Sequence, residues 1–495
     1  MALHGGRSIR QLGLRHSQFP IFTLVVPFSR LYIVTTPSVA AAIQRKSTAE
    51  LSFNALLPDI VQRVMGLDYV TRAIVERGLD PELGEQRGFL PDLHDMLVSR
   101  LGPGTAMDAL TVRAVDELGK GLDAYTALLR GGHGQMEALL GWVRHLVTHG
   151  TARLLYGSRN PLALRSGQNL EGAFWDFDHG LGSLLMGIWP SVTARKAHIG
   201  RETLVAAFRE YIEAGHYRSE VDDGEGEEST GADTIVLERI RIARGHGFSV
   251  DGIARSELSF LFAGIVNTAT TTFWTLAHIF ADHELLRTVR RELTVATERL
   301  DDTNSKTRRL SLKQLIKGCP MLHAIYREVL RVGSNNFSTR LVKKDTTVTA
   351  AGMNGELWLR KGGIVQIAGG VMHGSPAIWG DDVGVFNPRR HLTKKNRDEE
   401  DGSVRVNPAA FRAFGGGRTI CPGRHFATGE ILGLVASVVM RFEISGLGEA
   451  GEIKLPDIDD RILPVHILEP VAGSPLRVRI RLREGEDGGR VEVVP

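Results

Sequence analysis

Residues 254–282, ARSELSFLFAGIVNTATTTFWTLAHIFAD, carry the spacing of a helix that is apolar on nearly every side. Such a helix has no face to offer water, so it must run through the core with other elements packed around it. Helical apolar spacing recurs at 136–156 and 202–214, and a further helix covers about 320–332. The stretch from about residue 37 to 330 therefore reads as largely helical. Two polar runs interrupt it: SEVDDGEGEESTGAD at 219–233, an exposed loop, and DDTNSKTRR at 301–309.

Strands are expected toward the two ends. FPIFTLVVPFSRLYIVTT (19–36) reads as two strands joined by a turn around Pro27, Phe28, Ser29 and Arg30. STRLVKKDTTV (338–348) and GELWLRKGGIVQIA (355–368) alternate as strands do, and PLRVRIRLRE (475–484) alternates like an edge strand. The fold class is mainly α with minor β.

Composition excludes several function classes. A net charge of +3, with no basic arm or interleaved aromatic strip, argues against nucleic acid. Cys319 and Cys421 are the only cysteines, so no disulfide framework is expected and a reducing compartment fits. Zinc needs about four ligands, and with neither CxxC nor HxxxH spacing read in the chain no zinc site is expected. The 19–36 run holds two prolines, a serine and an arginine where a membrane span needs about 20 clean residues. No secretory signal pattern precedes it, and the chain reads as soluble.

The chemistry centres on AFRAFGGGRTICPGRHFATGEI, residues 410–431. Gly415, Gly416 and Gly417 can take backbone conformations closed to other residues and let the chain lie against a flat ligand. Cys421 falls at the start of a helix whose positive end favours a thiolate, and Leu432, Val435, Val438 and Val439 give that helix a buried stripe. The register of Phe414, Gly417, Cys421 and Gly423 resembles the haem-binding loop of cytochrome P-450 enzymes, F-x-x-G-x-R-x-C-x-G. The family arginine is displaced: Thr419 stands in its place and Arg418 sits one position early. The resemblance implies haem b (iron protoporphyrin IX), an axial thiolate from Cys421 as the metal ligand, and Arg418 as a propionate contact.

Other segments carry the same resemblance. YREVLR supplies Glu328 and Arg331 of an E-x-x-R helix, about 90 residues before Cys421, and VFNPRRHL supplies Arg390. The resemblance implies a structural Glu–Arg–Arg brace for the cysteine loop, with His373 structural as well. Arg340, in STRLVKKDTTV, is implied to bind a haem propionate. The family's tryptophan and arginine on an early helix are not evident, and His94 or Arg100 in PDLHDMLVSR is expected to replace them as a cofactor contact; Trp142 is expected in the core. The resemblance spans about residues 20 to 480, is specific over 254–445, and implies a single cytochrome P-450 domain over 1–495 with a small β-rich lobe; the N-terminal helix that anchors eukaryotic relatives is expected to be absent from this chain.

Along the long helix, most monooxygenases of the family carry A-G-x-D/E-T. Here the register reads Ala263, Gly264, Ile265, Val266, Asn267, Thr268. Valine replaces the acid and asparagine the alcohol, while Ala263 and Gly264 leave room above the iron. This pattern, with Phe273-Trp274 and TICPGRHFA, is similar to the branch that includes cholesterol 7-alpha-hydroxylase and prostacyclin synthase, in a fungal style. The expected function is a monooxygenase acting on a lipophilic natural product with dioxygen. Asn267 and Thr268 are its distal polar groups, and a separate NADPH-cytochrome P-450 reductase supplies electrons. The alternative is an electron-independent isomerase or dehydratase; a non-enzymatic haem carrier is the weaker third class. Relatives sit on the cytosolic face of the endoplasmic reticulum membrane; this chain is expected to be a monomer with at most peripheral membrane contact.

Overall fold

The computed structural model describes residues 5–27, 29–81, 85–130, 134–163, 167–218, 231–299, 307–353, 355–392, 406–461, 466–484 and 490–495. Ser249 starts the longest helix, its hydroxyl accepting the Gly252 N–H at 3.1 Å. The helix runs Val250–Ala281 and ends where Asp282 caps the next one through the Glu284 and Leu285 N–H groups. Its onset lies four residues before the expected start because the cap, not the apolar pattern, fixes it. Among the described residues it alone has the length and hydropathy to cross a bilayer, yet 72% of its most apolar window is buried inside the molecule.

The elements that frame the site are, in chain order, α1 (Phe89–Leu101), α2 (Thr105–Leu129), α3 (Leu139–Tyr156), α4 (Leu170–His179), α5 (Arg195–Glu213), the long helix α6 (Val250–Ala281), α7 (Pro320–Gly333) and α8 (Arg424–Arg441). The strands are β1 (Ile21–Val26), β2 (Ser29–Val34), β3 (Leu51–Ser52), β4 (Gln135–Ala138), β5 (Phe337–Val342), β6 (Ile364–Ala368), β7 (Phe442–Gly446) and β8 (Arg477–Leu482). Helices α3, α5, α7 and α8 pack around α6, which meets the demand its apolar surface makes. On α8, Gly429 and Gly433 let α2 come close: a Cβ at either would sit 2.5 Å from Thr111 or Val115.

One sheet has the order β1-β2-β6-β5-β3, with β1/β2 an antiparallel hairpin in the register Ile21↔Val34. In it β5 runs antiparallel to β6, Arg340 opposite Val365. Phe28, within the expected hairpin turn, lies outside the described residues, as do 219–230 of the acidic loop and 301–306 of the second polar break.

A second sheet, β7-β8-β4, corrects two expectations. Residues 135–138 are a strand, not the start of a helix, and α3 begins at Leu139. The edge of β8 offers backbone partners that local spacing does not register, with Arg477 opposite Ala138. With β4 on one side and β7 on the other, 477–482 is a central strand, not an edge strand.

Candidate active site

The loop before α8 folds back on itself: the Cys421 N–H donates to the Phe414 carbonyl at 3.0 Å, and the Gly415 N–H to the Arg412 carbonyl at 2.9 Å. Gly415 and Gly417 adopt φ of 73° and 63°, the left-handed region that favours glycine. Gly416 is extended, but a Cβ there would lie 2.5 Å from Arg412 Nη1. Three glycines thus serve two needs, two turns and one close approach. Cys421 is open to a cleft although protein surrounds it. Burial pushes its thiol up, against the Gly423 and Arg424 N–H groups and the Arg424 charge, which favour the thiolate. The expected thiolate bias of the helix end is therefore present but outweighed, and ligation to a metal would supply the missing stabilisation. Phe414 and Gly423 are half-buried at the two ends of the same turn.

Arg340 and Arg412 are both buried, at 6% and 3% exposure. Among the described residues neither pairs with a carboxylate. Arg340 donates to Thr419 Oγ1 and to the Thr339 carbonyl. Arg412 reaches only Ser338 Oγ at 3.4 Å, and its Nε is unsatisfied. Burial and the Arg340 charge hold Arg412 down to about 10. Two buried cations beside each other without an anion are costly, and the two carboxylates of a haem would answer that cost. The residues present therefore fit the group: a cysteine open to a cleft, glycine backbone beside it and a pair of guanidiniums lacking anions.

Arg412 was missed by the sequence reading, which followed the motif to Arg418. Arg418 is exposed and makes no hydrogen bond among the described residues. A vacated motif position with another arginine in the same loop was the available signal. On α1, His94 is exposed beside Asp95, and Arg100 is paired with Glu238; neither placement supports a cofactor contact. Trp142 is buried in the core, as expected.

The brace is assembled around Glu328, which is fully buried. Its oxygens accept from Arg331 Nε at 2.8 Å and Nη2 at 2.7 Å, from Arg390 Nε at 3.1 Å and from the Asn387 N–H at 3.0 Å. His391 Nε2 lies 2.9 Å away, a fourth partner that the motif does not announce. Burial alone would raise this carboxyl, but Arg331 and His391 hold it at about 2. The link to the cysteine loop is explicit. Arg331 Nη1 donates to the His373 carbonyl at 2.8 Å, and His373 Nε2 accepts the Arg412 N–H at 2.8 Å. The His373 Nδ1–H then donates to the Ser334 carbonyl at 3.0 Å, which fixes its tautomer.

On α6, Ala263 and Asn267 are exposed while Ile265, Val266, Thr268 and Ala269 are buried. Positions four apart share a face, so an otherwise buried helix is open along one strip. Asn267 Oδ1 accepts the Ile467 N–H at 3.0 Å. An N–H can only donate, so the oxygen must face it, and the Asn267 NH2 makes no hydrogen bond among the described residues. Gly264 faces α3, where a Cβ would lie 3.2 Å from Thr151 Cγ2; its small size serves helix packing. Thr268 is turned from the open strip, its hydroxyl 3.4 Å from Glu430 Oε2. Glu430 is wholly buried, and burial pushes its carboxyl up to about 8.

The profile of the family described as Cytochrome P450 matches residues 183–459. The chain is 28% identical to "Cytochrome P450 monooxygenase nodJ" of Hypoxylon pulicicidum over 94% of this chain and 84% of that protein. It is 28% identical to "Cholesterol 7-alpha-monooxygenase" of Cricetulus griseus over 46% of this chain and 45% of that one. Among solved structures it is similar to "Retinoic acid bound cyanobacterial CYP120A1", with a TM-score of 0.65, 18% identity, and 95% and 93% of the two chains covered; this likeness speaks to the fold.

Proposed function

The chain belongs to the cytochrome P450 family, an oxidoreductase family of haem-thiolate monooxygenases with a cysteine axial ligand, and from that premise we propose that it oxidises a lipophilic natural product, a terpenoid, steroid or similar molecule. The observation that carries this reading is the exposed pair Ala263 and Asn267 on a helix that is mostly buried. It offers one small apolar side chain, Ala263, beside one amide donor that has no partner among the described residues. When bound, haem b supplies dioxygen activation with external electrons and insertion of one oxygen atom into a C–H bond.

This chain's residues do the rest. Cys421 would hold the metal through its sulfur, and its loop is kept in register by the path Glu328, Arg331, His373, Arg412. Arg340 and Arg412 would hold the propionate carboxylates, and Thr419 steadies Arg340. Asn267, anchored through its oxygen, directs its NH2 into the cleft to orient water or a substrate oxygen. Ala263 leaves space beside it. Electrons are assigned to NADPH-cytochrome P-450 reductase docking on the cysteine side, with the protein acting as a monomer at the cytosolic face of the endoplasmic reticulum.

One observation favours a second reading. The acid position of the long helix is Val266, fully buried, so no carboxylic acid stands at that position to deliver protons. An isomerase or dehydratase acting on an already oxygenated substrate needs none. Product mass spectrometry on a panel of lipophilic substrates separates the two. The monooxygenase reading expects products only with dioxygen, NADPH and reductase, each 16 Da heavier when one oxygen is inserted. Turnover under nitrogen without reductase would establish the second reading instead.

A further inference from the structure

The outer face of α3 carries a histidine pair that the cofactor site does not use. His145 and His149 stand four apart in HLVTH, so both project from one side of the helix. This spacing corrects the expectation that the chain offers no zinc-type ligand pattern. Glu171, in the first turn of α4, faces them. Its place is fixed by Asn169, whose side chain caps α4 by accepting the Gly172 N–H at 2.7 Å.

His145 Nδ1 lies 2.8 Å and His149 Nε2 3.1 Å from one and the same atom, Glu171 Oε2. The two rings are 4.5 Å apart, and the three ligand atoms all lie within 4.8 Å of one another. Three atoms so spaced have a common point within about 2.5 Å of each, close to metal–nitrogen and metal–oxygen bonds of about 2.0–2.2 Å. Small side-chain rotations close the difference. The ligand atoms reach solvent, with Glu171 the most covered of the three.

We propose that His145, His149 and Glu171 bind one divalent transition metal of the zinc type, the remaining coordination being water. Two imidazoles and one carboxylate select zinc or its neighbours over magnesium or calcium, which take oxygen ligands. The metal replaces two hydrogen bonds to a shared oxygen and needs no backbone movement. Its structural effect is to staple the start of α4 to α3. A second cluster, Asp178, His179 and Glu469, does not qualify, because the Arg144 guanidinium already donates to Glu469 and lies 3.1 Å from His179. The same guanidinium also lies over the Trp175 ring, 4.1 Å from its centroid.

The test uses haem-loaded protein stripped with a chelator and titrated with zinc chloride by calorimetry. One saturable equivalent is expected. In H145A/H149A the affinity should fall beyond the roughly 10–100-fold that losing an outer partner of a metal ligand costs, with an unchanged reduced carbon-monoxide spectrum. E171Q should also weaken binding. Should the double variant lose its spectrum, H145Q and H149Q singly carry the same comparison. Absence of saturable binding by the parent protein, or parental affinity and stoichiometry in the histidine variants, overturns the proposal.

Discussion

Asn267 divides its two amide functions between the scaffold and the cleft, and that division makes it testable. Asn267→Ala frees the Ile467 N–H and removes the cleft donor. A neutral hydrogen bond is worth about 0.5–1.5 kcal/mol, so turnover should fall roughly 2–10-fold. The thiolate spectrum should persist, and product yield per NADPH consumed reads the effect. Arg412→Leu separates cofactor binding from folding. It relieves the repulsion with Arg340 in the haem-free protein, so the apo form should melt higher. Haem should be lost faster to an acceptor apoprotein, because one propionate partner is gone. A slower loss would place the propionates elsewhere. Cys421 was legible in the sequence because its glycines and spacing leave few other uses. Arg412 was not, since the motif points to position 419 and only the three-dimensional loop brings a residue seven positions earlier beside Arg340.

At the scale of elements, α7 and the segment after the sheet share one buried carboxylate. Glu328→Ala leaves Arg331 and Arg390 without their buried anion, and breaking such a cluster costs about 3–5 kcal/mol. Reduced haem occupancy and a lower melting temperature are expected, whereas a stable, fully loaded variant would deny the bracing role. The pH dependence has a definite sign. Glu328 is held at about 2 in the fold against an ordinary value of 4.5. Its contribution is whole above 4.5 and is lost as pH falls toward 2, because the unfolded chain then binds the proton first. Acid unfolding followed by tryptophan fluorescence should therefore be shallower in that window for Glu328→Gln. The E-x-x-R pair was readable because three-residue spacing puts both side chains on one helix face. His391 and the relay through His373 were not, since they join α7 to segments about 40 to 60 residues away that no local period records. The strand at 135–138 was hidden for the same reason: its partner lies at the far end of the chain.

At the scale of the whole molecule, some buried acids act the other way, Glu430 and Glu257 among them, because burial pushes their carboxyls up. Glu430 is pushed up to about 8 from 4.5, so the folded state holds a proton that the unfolded chain has released. Stability should decline as pH rises from about 4.5 to 8 and then level off. Glu430→Gln should flatten that decline in chemical denaturation measured across the range; an unaltered slope would assign it to other groups. The sheet β7-β8-β4 adds a constraint of time. During synthesis β4 emerges long before β8, and at about 5–20 residues per second the wait is on the order of 20–70 seconds. Throughout that interval the backbone of residues 135–138 lacks its mate. A ribosome that stops short of residue 477 releases a chain with an unpaired strand, a template for sticking to its own copies. Nascent polypeptide of this enzyme should thus depend on chaperone cover until residues 477–482 have been synthesised.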